Sequence, residues 1–322
     1  MPNWSQILTE IGSAGSVHDV VRRRYLRELG ALTERNVIVY YSGWLQKSGL
    51  GGVAISDEDK NGFMTVIHEM DRSRGLDLLL HTPGGETAAT ESLVDYLRAS
   101  FGSDIRAIVP QLAMSGGTMV ACACKEVVMG KHSSLGPIDP QFAGIPAHGV
   151  VEEFGRARRE IGENPASIPL WQPIIAKYSP TLIGECEKAI AWSNEMTAEW
   201  LRTGMFENLE KAAAEKKIKR ILKELGDHAL TKSHARHLSI QRCRDMGLRV
   251  AALEDDQALQ EAVLSVHHAC MLTFSATPAV KLIENDRGVA FIKVLQSVVV
   301  PGQRASGGDA DQVPAEEEQS GG

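Results

Sequence analysis

"LDLLLHTPGGET" (76–87) and "AIVPQLAMSGGT" (107–118) share one design, and reading them together decides the fold. Each opens on a short apolar run suited to a strand buried on both faces. Each then turns through proline and a glycine pair and enters a helix-forming stretch. Two such strand–turn–helix units in succession point to parallel pairing, because parallel strands need a crossover and a helix supplies it.

The pattern extends in both directions. "NVIVYYSGW" (36–44) is β-branched and aromatic, as strands are. Residues 57–73 carry Phe63, Val66, Ile67 and Met70 at helical spacing. Residues 86–100 read as a helix, 105–110 as a strand, "SGGTMVACAC" as a helix start and "EVVMG" (126–130) as a fourth strand. The spacing therefore predicts an α/β fold with a largely parallel sheet, right-handed crossovers and flanking helices. An amphipathic helical segment precedes it within 1–34, and the sheet domain is expected over 35–250. Within that domain, 132–149 is a Gly- and Pro-rich loop, 150–162 is helical, and 181–225 forms a helical insertion or arm. A helix and strand segment follows over 251–300, including "KVLQSVVV" (293–300), and 301–322 reads as a disordered acidic tail.

Bulk properties narrow the function classes. The 322 residues carry a formal net charge of −7, and the tail from Pro301 sets five acids against Arg304 alone. The basic run in 207–225 reads as a solvated helix face, so a nucleic-acid partner is not expected. Five cysteines stand at 122, 124, 186, 243 and 270 with no paired CxxC spacing, which fits a reducing compartment and gives no metal site. Neither a signal peptide nor an apolar run of membrane-spanning length is visible, so a cytoplasmic chain with no integral membrane segment is expected. No GxGxxG follows a strand, and no cofactor is expected.

Chemistry concentrates at the two turns. In a parallel sheet both lie at the carboxyl ends of their strands, where ligands bind. Gly84 and Gly85 can present backbone N–H groups without a side chain in the way. The helix that Ser115 opens adds unpaired N–H groups at its positive end. One hydroxyl flanked by donors from two turns suits a serine nucleophile with an oxyanion hole. Ser115 also suits a plain helix N-cap, and the two roles are compatible.

"HTPGG", then "AMSGGTMVACA", then "SSLGPIDPQ" (133–141) resembles the serine dehydrogenase proteinase family, within the group of the Clp proteolytic subunit, signal peptide peptidase A and crotonase. The resemblance runs from about Arg24 to Val250 and implies a ClpP/crotonase-like fold with extra C-terminal helices. It also implies serine peptidase activity on a peptide or protein substrate, and assembly into a homo-oligomer. By position, Ser115 matches the nucleophile, and Gly85 and Gly116 match the oxyanion-hole donors. The Clp subunit's histidine would fall near Asp139, where this chain has no histidine. The signal peptide peptidase branch uses a lysine on a later helical segment. Lys177 in "PIIAKYSPTL" is therefore expected as the general base, its apolar neighbours favouring the neutral amine. Gly84, His81 and Asp139 are expected to line the cleft, while His234 and His237 read as structural or exposed. Two alternatives keep the fold: a crotonase-like acyl-CoA enzyme, and a non-catalytic oligomeric peptide-binding scaffold.

Overall fold

The computed structural model describes residues 4–13, 18–142, 144–226 and 233–295. The expected acidic tail (301–322) and the end of the expected last strand (296–300) lie outside the described residues. Two helices, α1 (Trp4–Ser13) and α2 (His18–Thr33), precede β1 (Asn36–Ser42). Then come α3 (Glu58–Ile67), β2 (Leu76–His81), α4 (Thr87–Phe101), β3 (Ile105–Val109), the short β4 (Leu112–Ala113), α5 (Gly116–Cys122) and β5 (Glu126–Met129). The irregular region that follows holds three two-residue strands: β6 (Ser134–Leu135), β7 (Gln141–Phe142) and β8 (Ile145–Pro146). Four helices follow, α6 (Ala147–Glu163), α7 (Ile168–Ile175), α8 (Leu182–Thr203) and α9 (Lys211–Gly226), the last two falling in the expected arm, 181–225. The chain closes with β9 (Leu238–Ser239), α10 (Ile240–Met246), β10 (Val250–Ala252), α11 (Gln257–Ala276), β11 (Ala279–Asn285) and β12 (Ala290–Val294).

The main sheet has the order β10-β5-β3-β2-β1-β11-β12. Its strands from β10 to β1 are parallel, while β11 runs antiparallel to β1 and β12 antiparallel to β11. The α/β class and largely parallel sheet are thus as the sequence predicts. Strands β11 and β12 join one edge of this sheet and β10 the other. Helix α11 leads into β11, and β12 then pairs antiparallel with β11 as a hairpin, a step that needs no crossover helix.

Strand alternation builds two cores. Leu78 and Leu80 of β2 join Ile38, Ala107, Val109 and Val127 on one face, under α3, α4, α5, α8 and α9. Leu79 joins Val39, Ile108 and Val128 on the other, under α1, α2 and α11. Cys122 and Cys124 fill the first core, and all five cysteines are buried and free. Helix α4 buries Ala89, Leu93, Val94, Leu97 and Phe101 at helical spacing and stops at Gly102, whose φ of 63° few other residues tolerate.

The same alternation gives His81 the parity of Leu79. Its ring is buried in the second core, its centroid 4.2 Å from that of Trp44 and, edge-on, 5.6 Å from that of His267 of α11. Among the described residues, neither ring nitrogen of His81 has a hydrogen-bond partner. Burial holds the His81 imidazole neutral, with its pKa lowered to about 3 from 6.5. Burial, with His81 alongside, pushes His267 well below the usual range too. Above pH 6.5 neither the folded nor the unfolded ring is protonated, and no stability is lost. Below it the unfolded chain binds protons that the folded chain refuses, so stability falls as pH drops from 6.5 towards 3. For His81 alone the loss between roughly pH 7 and pH 5 is about 2 kcal/mol. Denaturant midpoints at the two pH values should show a loss of at least that size, reduced in His81→Phe. A pH-independent midpoint would contradict this account.

Candidate active site

Strand β2 ends at His81, and the chain turns through Thr82–Glu86 into α4. Strand β4 ends at Ala113, and the chain turns through Met114 and Ser115 into α5. Thr82 joins the two turns. Its N–H donates to Leu112 O at 3.1 Å, and its carbonyl accepts from Met114 N at 3.0 Å. The glycines are needed for this approach. At Gly84, with φ of 90°, an added Cβ would lie 2.6 Å from Ser115 Cβ. At Gly117 it would lie 2.5 Å from Thr82 Cγ2.

Ser115 itself has φ 51° and ψ −116°. For a non-glycine residue this is a strained conformation worth on the order of 1–3 kcal/mol. Its side chain makes no capping hydrogen bond to α5, so the hydroxyl remains available although the residue stands at the N-cap. Among the described residues, no backbone group accepts from the N–H of Gly85 or Gly116.

A second, smaller sheet gathers the remaining groups. Its order is β4-β6-β9, with β6 parallel to β4 and β9 antiparallel to β6. Ala113 pairs with Leu135, and Leu135 with Leu238. The ends of β4 and β6 therefore meet the beginning of β9. Ser115 follows β4, Asp139 follows β6, and His234 precedes β9. Around them opens a cleft of about 650 Å³, lined by Ser115, Gly84, Gly85, Gly116, Asp139 and His234, with Met119, Ile138, Phe142 and Trp192 as apolar wall.

Within the cleft, His234 Nδ1 lies 2.9 Å from Asp139 Oδ1. A carboxylate only accepts, so Nδ1–H donates, which leaves Nε2 as the nitrogen able to take a proton. The Asp139 carboxyl is buried and the His234 side chain is 25% exposed. Asp139 Oδ2 is buried with no hydrogen-bond partner among the described residues. The backbone at Ile138 is anchored by Leu225 O, which accepts from its N–H at 3.0 Å, and by Ser193 Oγ, which donates to its carbonyl at 3.2 Å.

Of the residues expected from sequence, Ser115, Gly84, Gly85, Gly116 and Asp139 share this cleft. Two expectations need correction. His81 is not in it, because strand alternation turns its ring into the opposite core. Lys177 is exposed beyond the end of α7 and does not line the cleft, so it is not brought to Ser115. Its apolar sequence neighbours supply no burial, since Ile174 and Ala176 are exposed as well. His234 instead lines the same cleft as Ser115 and pairs with Asp139, and no local pattern around it signals this. It owes that place to the pairing of β9 with β6 across the intervening arm.

Gly84→Ala should lower stability by roughly 2 kcal/mol or more, through both the positive φ and the contact with Ser115. Gly162→Ala, in α6 with open space around its Cβ, should be neutral or stabilising by up to about 1 kcal/mol. Thermal melts of the two variants check this. Equal effects would contradict the close approach of the turns.

Residues 16–261 match the family described as ClpP-like SDH-type serine proteinases. Two similar proteins come from Methanocaldococcus jannaschii. Uncharacterized protein MJ0137 is 36% identical over 138 residues, which cover 41% of this chain and 47% of that protein. This chain thus spans under half of that relative's length. Uncharacterized protein MJ1495 is 24% identical over 234 residues, covering 73% of this chain and 70% of that protein. With a family match over most of its length and a mostly parallel sheet carrying the two glycine turns, the chain belongs to the ClpP-like SDH-type serine proteinases.

Proposed function

We propose that the cleft hydrolyses peptide bonds with Ser115 as nucleophile, His234 as general base and Asp139 as the group that orients the imidazole. Membership of a serine proteinase family supports the reaction class. The observation that carries the residue assignment is the Asp139–His234 hydrogen bond in the same cleft as a strained, uncapped serine. Lys177 has no part in this mechanism.

Ser115 Oγ attacks the scissile carbonyl carbon while His234 Nε2 takes the hydroxyl proton. The carbonyl π electrons move to oxygen, and the N–H groups of Gly85 and Gly116 hold the resulting oxyanion. Collapse breaks the C–N bond, and the imidazolium returns its proton to the leaving amine. Water then attacks the Ser115 ester, giving its proton to His234, and the carboxylic product leaves as Ser115 is reprotonated. Asp139 stabilises the imidazolium at each stage. The apolar wall of Met119, Ile138, Phe142 and Trp192 suits an apolar substrate side chain.

The reading includes a cytoplasmic location and a homo-oligomer. Five buried free cysteines support the first. Exposed Ile168, Leu170 and Ile174 on α7 support the second. Among the described residues no helix is long and apolar enough to cross a membrane.

Turnover of labelled casein and of fluorogenic peptide amides tests the mechanism. Ser115→Ala should abolish it, and His234→Ala should lower kcat by roughly 10³-fold or more. Lys177→Ala should leave it unchanged. Full activity in His234→Ala with a large loss in Lys177→Ala would overturn the assignment of the base. A wild-type protein that binds a CoA thioester and leaves peptides intact would favour acyl-CoA chemistry instead.

A further inference from the structure

The proposed donors at Gly85 and Gly116 belong to two turns, and one stretch of backbone outside both turns braces them. The segment 53–56 lies along the glycine turn. Ile55 N–H donates to Gly84 O at 2.8 Å, and Ile55 O accepts from Glu86 N at 3.0 Å. Gly85 sits between these bonds, so close that an added Cβ would lie 2.3 Å from both Ile55 N and Ile55 O. The Ile55 side chain is fully buried and reaches the other donor, its Cδ1 lying 3.2 Å from where a Cβ on Gly116 would stand. One residue therefore touches both turns.

The far side of the brace is held by polar groups inside the core. Val53 O accepts from Ser42 Oγ of β1 at 2.5 Å. Ala54 O accepts from Lys281 Nζ of β11 at 2.7 Å. Ser56 N–H donates to Asp59 Oδ2 at 3.0 Å, and Tyr40 OH donates to the same oxygen at 2.6 Å. Lys281 Nζ also contacts both Asp59 oxygens, at 2.6 and 2.7 Å. Lys281 and Asp59 are both buried. A buried ion pair is weak evidence of stability, because a well-packed apolar pair often serves as well. An apolar pair could not fix the direction of the Ala54 carbonyl or the Ser56 amide. The pair's distinguishing consequence is directional, and its direction leads to Gly85.

We propose that Lys281 and Asp59 are positioning residues: through segment 53–56 their ion pair holds the Gly85 and Gly116 N–H groups where a developing oxyanion needs them. The inference rests on the reading of the cleft as a peptide hydrolase. Neither side chain touches substrate. Their effect falls on kcat, because an oxyanion donor works in the transition state and adds little to ground-state binding.

The test compares full-length variants on a fluorogenic peptide amide that the wild type cleaves. In Asp59→Asn/Lys281→Met the Asn carbonyl can still accept a hydrogen bond and the Met keeps the apolar stem, while the ion pair and the bond to Ala54 O are lost. Its kcat per folded molecule should fall on the order of 10²-fold with KM within about twofold, comparable to loss of one oxyanion donor. Arg22→Met/Glu284→Gln removes a second buried ion pair, which makes no contact with segment 53–56, and should leave kcat per folded molecule unchanged. Hydrogen exchange at Glu86, whose N–H donates to Ile55 O, should accelerate in the first variant and not in the second. Wild-type kcat and exchange in a folded Asp59→Asn/Lys281→Met protein would overturn the proposal, as would an equal kcat loss in the Arg22/Glu284 variant. If the first double variant does not fold, Ser42→Ala decides: faster Glu86 exchange with a smaller kcat loss supports the brace, and unchanged exchange and kcat overturn it. If the wild type cleaves no peptide, the hydrolase reading fails, and the exchange data alone still decide whether the brace holds the turn.

Discussion

Thr82 bonds through its N–H to the carbonyl of Leu112 and through its carbonyl to the amide of Met114. That pair of bonds joins the carboxyl ends of two neighbouring parallel units, and the geometry of the cleft depends on it. It brings the glycine turn so near to Ser115 that no Cβ fits at Gly84 or Gly117. It also carries the chain from β4 into α5 through a serine with φ 51°. Strain of this kind persists only where surrounding structure over-determines the backbone. The short ladder of β4 with β6, the Thr82 bonds and the first turn of α5 together do so.

Two levels of organisation meet at the cleft. The seven-stranded sheet, with a core on each face, presents the turns at one end as parallel sheets do. The two-residue strands β6 and β9 bury little, yet they set the relative position of Asp139 and His234. Their ladder is short, so further anchors matter. Thr118 Oγ1, from α5, lies 2.9 Å from both the amide and the carbonyl of Gly136, tying the loop that leads to Asp139 to the helix that begins beside Ser115. Helix α8, through Ser193, and helix α9, through Leu225, hold the backbone next to Asp139. The arm that interrupts the sheet region therefore also supports the site.

What was legible in the sequence was local. The strand–turn–helix units, the two glycine pairs and the position of Ser115 at a helix start all follow from spacing over about a dozen residues. Asp139 was reached through the motif that follows. His81 was legible in principle and misplaced: in "LDLLLH" it shares parity with Leu79, so it faces away from Leu78 and Leu80 and from the glycine turn's cleft side. Lys177 has apolar neighbours in the chain, but adjacency in sequence is not burial, and α7 leaves Ile168, Leu170 and Ile174 exposed. His234 could not be found this way. Its position depends on an antiparallel pairing between residues about a hundred apart, made by strands too short to show alternation. The antiparallel direction of β11 and β12 is not legible this way, because a strand's residues do not tell which way it runs in the sheet.

The central claim is that Ser115 is a nucleophile activated by a histidine supplied from β9's approach. A fluorophosphonate probe forms a covalent phosphonyl ester only with an activated hydroxyl, and mass spectrometry of the digested adduct locates it. The account predicts a single adduct on the peptide containing Ser115, formed at a rate that falls sharply in His234→Ala. An unlabelled Ser115 in folded wild-type protein, or a labelling rate untouched by loss of His234, would contradict it.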